Sequence, residues 1–172
     1  SGKIVTANDD TMGPMRLGDQ LNRLLAEQRY RRALVTREDL TLRMITGYAD
    51  PSAMYGADKA AGERNWIETL AHRTQIRFKP APTNEVHIRI EAVRRPLVDT
   101  IDGTQPAFLL SPACRVLRRA FNSGYRFRKL QVAGSERYDE KPEKNEFSHV
   151  MEALQYGLSG GGEHLEVTGR RE

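Results

Sequence analysis

Leu40-Thr41-Leu42-Arg43-Met44-Ile45-Thr46-Gly47-Tyr48 is a largely apolar run of strand length, and it stops at Ala49-Asp50-Pro51. Proline bars the residue before it from the helical region, so strand and regular pairing end at Asp50. An acidic side chain there is held by the sheet while facing solvent, and such strand ends are where α/β proteins place ligand sites. Taken alone, an Asp before Pro is more often a turn residue.

Strand-like and helix-like stretches alternate on both sides of this run. Upstream, Lys3 to Ala7 is short and β-branched. Leu17, Leu21, Leu24 and Leu25 then share one helical face opened by Gly13-Pro14. Downstream, a helix is expected around Trp66, Ile67 and Leu70, with Trp66 in the core. A strand follows at Gln75 to Lys79, closed by Pro80-Ala81-Pro82. Ile90, Val93, Leu97 and Ile101 predict a long helix that Pro96 kinks or splits. Ala107 to Leu110 has the composition of a buried strand. Ser111-Pro112 opens a helix that Gly124 ends, with Cys114 packing on its apolar face. Tyr125 to Val132 is expected as a strand or hairpin arm, and Phe147, Met151, Leu154 and Leu158 as the stripe of a last helix. The alternation predicts an α/β fold with a central mixed sheet.

With 172 residues, 38% hydrophobic and 29% charged, the chain is expected to form one domain over 1–158. A flexible Gly-rich tail over 159–172 starts at Ser159-Gly160-Gly161-Gly162. No stretch approaches a membrane span, and Ser1-Gly2-Lys3 does not open a signal peptide. Cys114 is the sole cysteine, so no internal disulfide can form, which points to a soluble protein of a reducing compartment. The net charge is +4 and unevenly placed. From Gly103 to Ser135 no Asp or Glu occurs, while Arg115, Arg118, Arg119, Arg126, Arg128 and Lys129 all fall there. A positive face of this kind suits a phosphate-bearing partner, and equally a solvated basic surface. No Walker-type phosphate loop is present, since Gly2-Lys3 is followed by Ile4.

On the last helix, taking ~100° per residue from Met151 puts Glu152 near 100°, Tyr156 near 140° and His149 near 160°. Those three stand beside or opposite the core stripe. Glu152 at its flank could reach a metal, against the more common reading of a solvated face. Asp50 and Glu152 meet only if the fold brings them together. They would then suit Mg²⁺ or Mn²⁺, and two such ions ~4 Å apart can clamp a phosphodiester. Asp139-Glu140-Lys141 has the spacing of half a nuclease signature, at chance level for a charged loop. Asp9-Asp10 has the look of turn chemistry.

Three blocks in order, Gly47-Tyr48-Ala49-Asp50-Pro51-Ser52, Leu109-Leu110-Ser111-Pro112 with Cys114, and Lys144-Asn145-Glu146-Phe147-Ser148-His149 through Tyr156, carry a resemblance. Over about Lys3 to Leu158 the chain resembles the C-terminal nuclease domain of the large terminase subunit of tailed bacteriophages or prophages. The resemblance implies an RNase H-like mixed sheet flanked by helices, two divalent ions (Mg²⁺ or Mn²⁺), and cutting of concatemeric double-stranded DNA. It implies Asp50 and Glu152 as metal ligands and His149 as a catalytic neighbour. Arg115, Arg118, Arg119, Arg128, Lys129 and Lys144 become candidates for contact with the DNA backbone. Further implied are an N-terminal ATPase domain, the small terminase subunit and the portal as partners, no membrane, and the host bacterial cytoplasm as location. Two features depart from the pattern. Glu152 stands where the family usually has Asp, and no first strand with an Asp-x-Gly acid precedes Asp50. The family's first strand is therefore expected to be lacking, leaving either a nuclease or a catalytically incomplete module for DNA binding or portal docking.

Overall fold

The strand that ends at Asp50 is Thr46–Ala49 (β1), and it runs parallel to Arg77–Pro80 (β2), with Thr46 opposite Arg77 and Ala49 opposite Pro80. The computed structural model describes residues 13–27, 45–57, 60–130 and 136–163, so the expected strand at Lys3 to Ala7, Asp9-Asp10 and residues 40–44 lie outside the described residues. The chain is mixed α/β and falls into two compact units, divided in sequence between Asn84 and Glu85. Its described strands pair as three separate two-stranded ladders, not as one central sheet.

In the first unit, helix α1 (Pro14–Ala26) starts as expected, with Gly13 extended and Pro14 at the first helical position. It packs on α2 (Trp66–Thr74), whose entrance is a capping box: Asn65 Oδ1 accepts from the Glu68 amide, and Glu68 Oε2 from the Asn65 amide. Parallel strands need a crossover, and α2 supplies it between β1 and β2. Gly47 is required in β1, because a Cβ there would strike the ring of Phe78 on the neighbouring strand. Trp66, expected in the core, is 37% exposed at the first helical position; Ile67 and Leu70 hold the buried face instead.

The second unit opens with α3 (Val86–Val98). Pro96 does not split it. It sits in the last turn, where only one helical hydrogen bond is lost, and the helix ends two residues later. The buried face is Arg89, Ala92, Val93 and Pro96, whereas Leu97 is exposed and Ile101 lies beyond the helix. Ile101 belongs to a short hairpin, Thr100–Ile101 (β3) with Gln105–Pro106 (β4), turned by Asp102 and Gly103 at positive φ. Ala107 to Leu110 forms no strand: no described strand pairs with it, and Leu109 is 82% exposed.

Helix α4 (Arg115–Arg119) widens into a π-type turn over Ala120–Gly124, ending at Gly124 as expected. Its N-cap is Cys114, half-buried, after a turn through Ser111 and Pro112. Phe127–Leu130 (β5) and Arg137–Pro142 (β6) make an antiparallel hairpin. Helix α5 (Ser148–Leu158) packs on α3, burying Val150, Met151, Leu154 and Leu158. It runs on as a wider turn through Ser159–Glu163, with Ser159 buried; residues 164–172 of the expected tail lie outside the described residues. No helix among the described residues is long and apolar enough to cross a membrane.

Candidate functional site

Asp50 stands in the first unit, directly after β1, and caps the 3₁₀ turn Pro51–Met54. Its Oδ1 accepts from the Ser52 amide at 2.8 Å and from Ser52 Oγ at 2.7 Å. The strand-end position expected from Pro51 is the one observed. So is the turn chemistry: the carboxylate shapes its own loop.

Glu152, His149 and Lys144 belong to the second unit. Glu152 is half-buried on α5, and both its oxygens accept from Lys144 Nζ, at 2.9 and 3.0 Å. His149 is exposed one turn earlier. The Lys144–Ser148 block has a local structural role. Asn145 Nδ2 donates to the Gly124 carbonyl at 2.8 Å, Asn145 Oδ1 accepts from the Phe147 amide at 3.0 Å, and buried Ser148 Oγ accepts from the Asn145 amide at 2.8 Å. These bonds set the start of α5 and press the Phe147 ring against Gly124.

The acid-free segment does not leave a bare positive face. Arg126 pairs with Glu143 at 3.4 Å, Arg128 with Asp139 at 3.2 Å, and Lys129 with Glu136. Arg119 lies 3.9 Å from Glu146, its guanidinium carbon 5.3 Å from the centre of the Phe147 ring. The acids lie at residues 136–146, just past the acid-free segment, and the hairpin with the turn that follows it brings them back onto the bases. Asp139 is thus a cross-strand partner of Arg128. Arg118 donates to the Pro112 carbonyl at 3.5 Å, and Arg115 is exposed. All these pairs are solvated ones worth at most about 1 kcal/mol, so a phosphate could compete for the bases.

A more enclosed polar cluster escaped the sequence reading. Arg89 on α3 is 6% exposed, with its guanidinium carbon 4.6 Å from the centre of the Tyr156 ring. Gln155 is 1% exposed, and its Nε2 donates to the Tyr125 hydroxyl at 3.0 Å. Burial raises the Tyr125 pKa above its ordinary value; the Gln155 bond opposes this, Glu152 adds to it, and Arg89 and Lys144 lower it. Tyr156, expected beside or opposite the core stripe, is buried, with the Arg89 guanidinium over its ring. The available signal was Arg89 itself, spaced at i, i+3, i+4 and i+7 with Ala92, Val93 and Pro96.

Among the described residues, no group of three or more His, Cys, Asp or Glu side chains gathers as a metal centre would require. No protein-family model, curated protein or solved structure matches the chain.

Proposed function

We propose that the chain is the endonuclease domain of a viral DNA-packaging terminase, RNase H-like in fold, cutting concatemeric double-stranded DNA with little sequence preference. The observation that carries this reading is the place of Asp50, a carboxylate at the C-terminal end of a parallel strand in a strand–helix–strand unit. The order of the three sequence blocks supports it.

Asp50 and Glu152 are the proposed ligands of Mg²⁺ or Mn²⁺. Their oxygens are of the kind hard cations take, but Ser52 and Lys144 now hold them, so binding at Glu152 has to displace the Lys144 ammonium. A bound ion would activate water and stabilise the leaving oxygen. The chain's own part is to position. Arg115, Arg118, Arg119, Arg128, Lys129 and Lys144 hold the duplex through backbone phosphates, and His149 moves a proton beside Glu152. The ATPase domain, small subunit and portal are the proposed partners in the host cytoplasm.

The grip of Lys144 on both oxygens of Glu152 favours a second reading, a catalytically incomplete module that grips DNA or docks on the portal. A supercoiled-plasmid assay in Mn²⁺, Mg²⁺ or EDTA separates the two. The nuclease reading expects metal-dependent cutting, reduced about 100-fold or more in Asp50→Ala and in Glu152→Ala. Plasmid shifted at low salt but never cut supports the second reading. Cutting that both variants retain overturns the site.

A further inference from the structure

Arg89 is an enclosed cation, 6% exposed, for which no ion pair is found among the described residues. Its Nε and Nη1 are buried and have no hydrogen-bond partner among the described residues. Burying an ion is costly even after relaxation, and stacking on the Tyr156 ring offsets only part of that cost while leaving the N–H donors unanswered. The neighbouring amide is also half-answered: Gln155 Nε2 donates to the Tyr125 hydroxyl, while Gln155 Oε1 is buried with no partner. The Tyr125 hydroxyl accepts from Gln155 and so keeps its own proton to donate. Arg89, Lys144 and Glu152 all act on that hydroxyl through space. Arg89 stacks on the Tyr156 ring, and Gln155, the residue before Tyr156, is bonded to Tyr125. The unmet donors of Arg89, the O–H of Tyr125 and the unmet acceptor of Gln155 thus belong to one packed region of α3, α5 and Tyr125.

We propose that Arg89, Tyr125 and Gln155 form a binding site for hydrogen phosphate, free or as the monoanion of a phosphate monoester. Oxygens of the ligand accept from the Arg89 guanidinium and the Tyr125 hydroxyl. Its P–OH donates to Gln155 Oε1. Sulfate has the same shape and carries no proton at neutral pH, as does an internal phosphodiester. Either one leaves Gln155 Oε1 unmet, which weakens binding about tenfold or more. The site needs neither metal nor cleavage and stands apart from the nuclease reading.

Thermal unfolding of the full 172-residue chain in EDTA tests it. Inorganic phosphate at about 10 mM is expected to raise Tm by about 2–4 °C over chloride of equal ionic strength, and sulfate by much less. Arg89→Met keeps the volume and removes the unpaired charge, so it should fold and lose the phosphate response. Tyr125→Phe, which keeps the ring, should weaken phosphate binding about tenfold by calorimetry. Gln155→Leu should abolish the preference for phosphate over sulfate. Competition by a duplex with 5′-phosphates, and not by the same duplex with 5′-hydroxyls, would assign the phosphate to a nucleic-acid end; its absence would assign it to the free ion. No response to phosphate, an equal response to sulfate, or an unchanged response in Arg89→Met would overturn the site.

Discussion

Asn65 is buried at no cost because each of its polar groups is answered. Its amide and Oδ1 close the capping box with Glu68, and its Nδ2 donates to the Met54 carbonyl at 2.8 Å, tying the turn after Asp50 to α2. Asn65→Ala should therefore cost about 1–2 kcal/mol in urea unfolding, more than an ordinary exposed cap. Gly124 is constrained by space. A Cβ there would lie 2.5 Å from the Phe147 ring, so Gly124→Ala should lose about 1–3 kcal/mol, and adding Phe147→Leu should recover part of it. Tyr125 sets a pH limit. Its pKa is raised by burial, so above about pH 10 the unfolded chain releases this proton while the folded one still holds it. The contribution is complete below that pH and is lost as pH rises. The urea midpoint should fall more steeply there in wild type than in Tyr125→Phe, with Glu152, Arg89 and Lys144 unchanged in both.

At the scale of elements, the β5–β6 hairpin brings Arg126, Arg128 and Lys129 on its first arm opposite Glu143, Asp139 and Glu136 on its second. Its three ion pairs are exposed, so Arg128→Ala should change stability by less than about 1 kcal/mol in urea unfolding. Any larger loss in a salt-titrated DNA-binding assay would then report phosphate contact rather than folding. Helix α3 shows how a helical face is misjudged. Hydropathy favours Ile90, Val93, Leu97 and Ile101, yet the face that meets α5 is built of Ala92, Val93 and Pro96 around a buried Arg89. Small residues permit close approach, and an approach that close covers the arginine as well.

Across the whole molecule, each unit has its own apolar centre. Leu154 is 1% exposed on α5, and Leu154→Ala should cost about 2–5 kcal/mol, read as lost amide protection in that helix. Leu70→Ala should do the same in α2. The candidate site was legible only in part. Asp50 is where Pro51 requires a strand to stop, and Glu152 flanks the stripe of α5 as helical geometry demands. The partners of both carboxylates were not legible, because Lys144 lies eight residues from Glu152 and only the bend into α5 joins them.

By itself the sequence determined local matters: the mixed α/β alternation, the start of α1 at Gly13-Pro14, the end of the π-type turn at Gly124, and the apolar stripe of α5. These depend on backbone dihedrals and periodicity, which neighbouring residues set. The tertiary structure alone decided which charges are neutralised, that the described strands form three ladders and not one sheet, and that Arg89, Tyr125 and Gln155 share an enclosed region. Those outcomes depend on contacts between residues far apart in the chain, where burial and Coulomb energy act on spatial distance, and sequence spacing carries no measure of it.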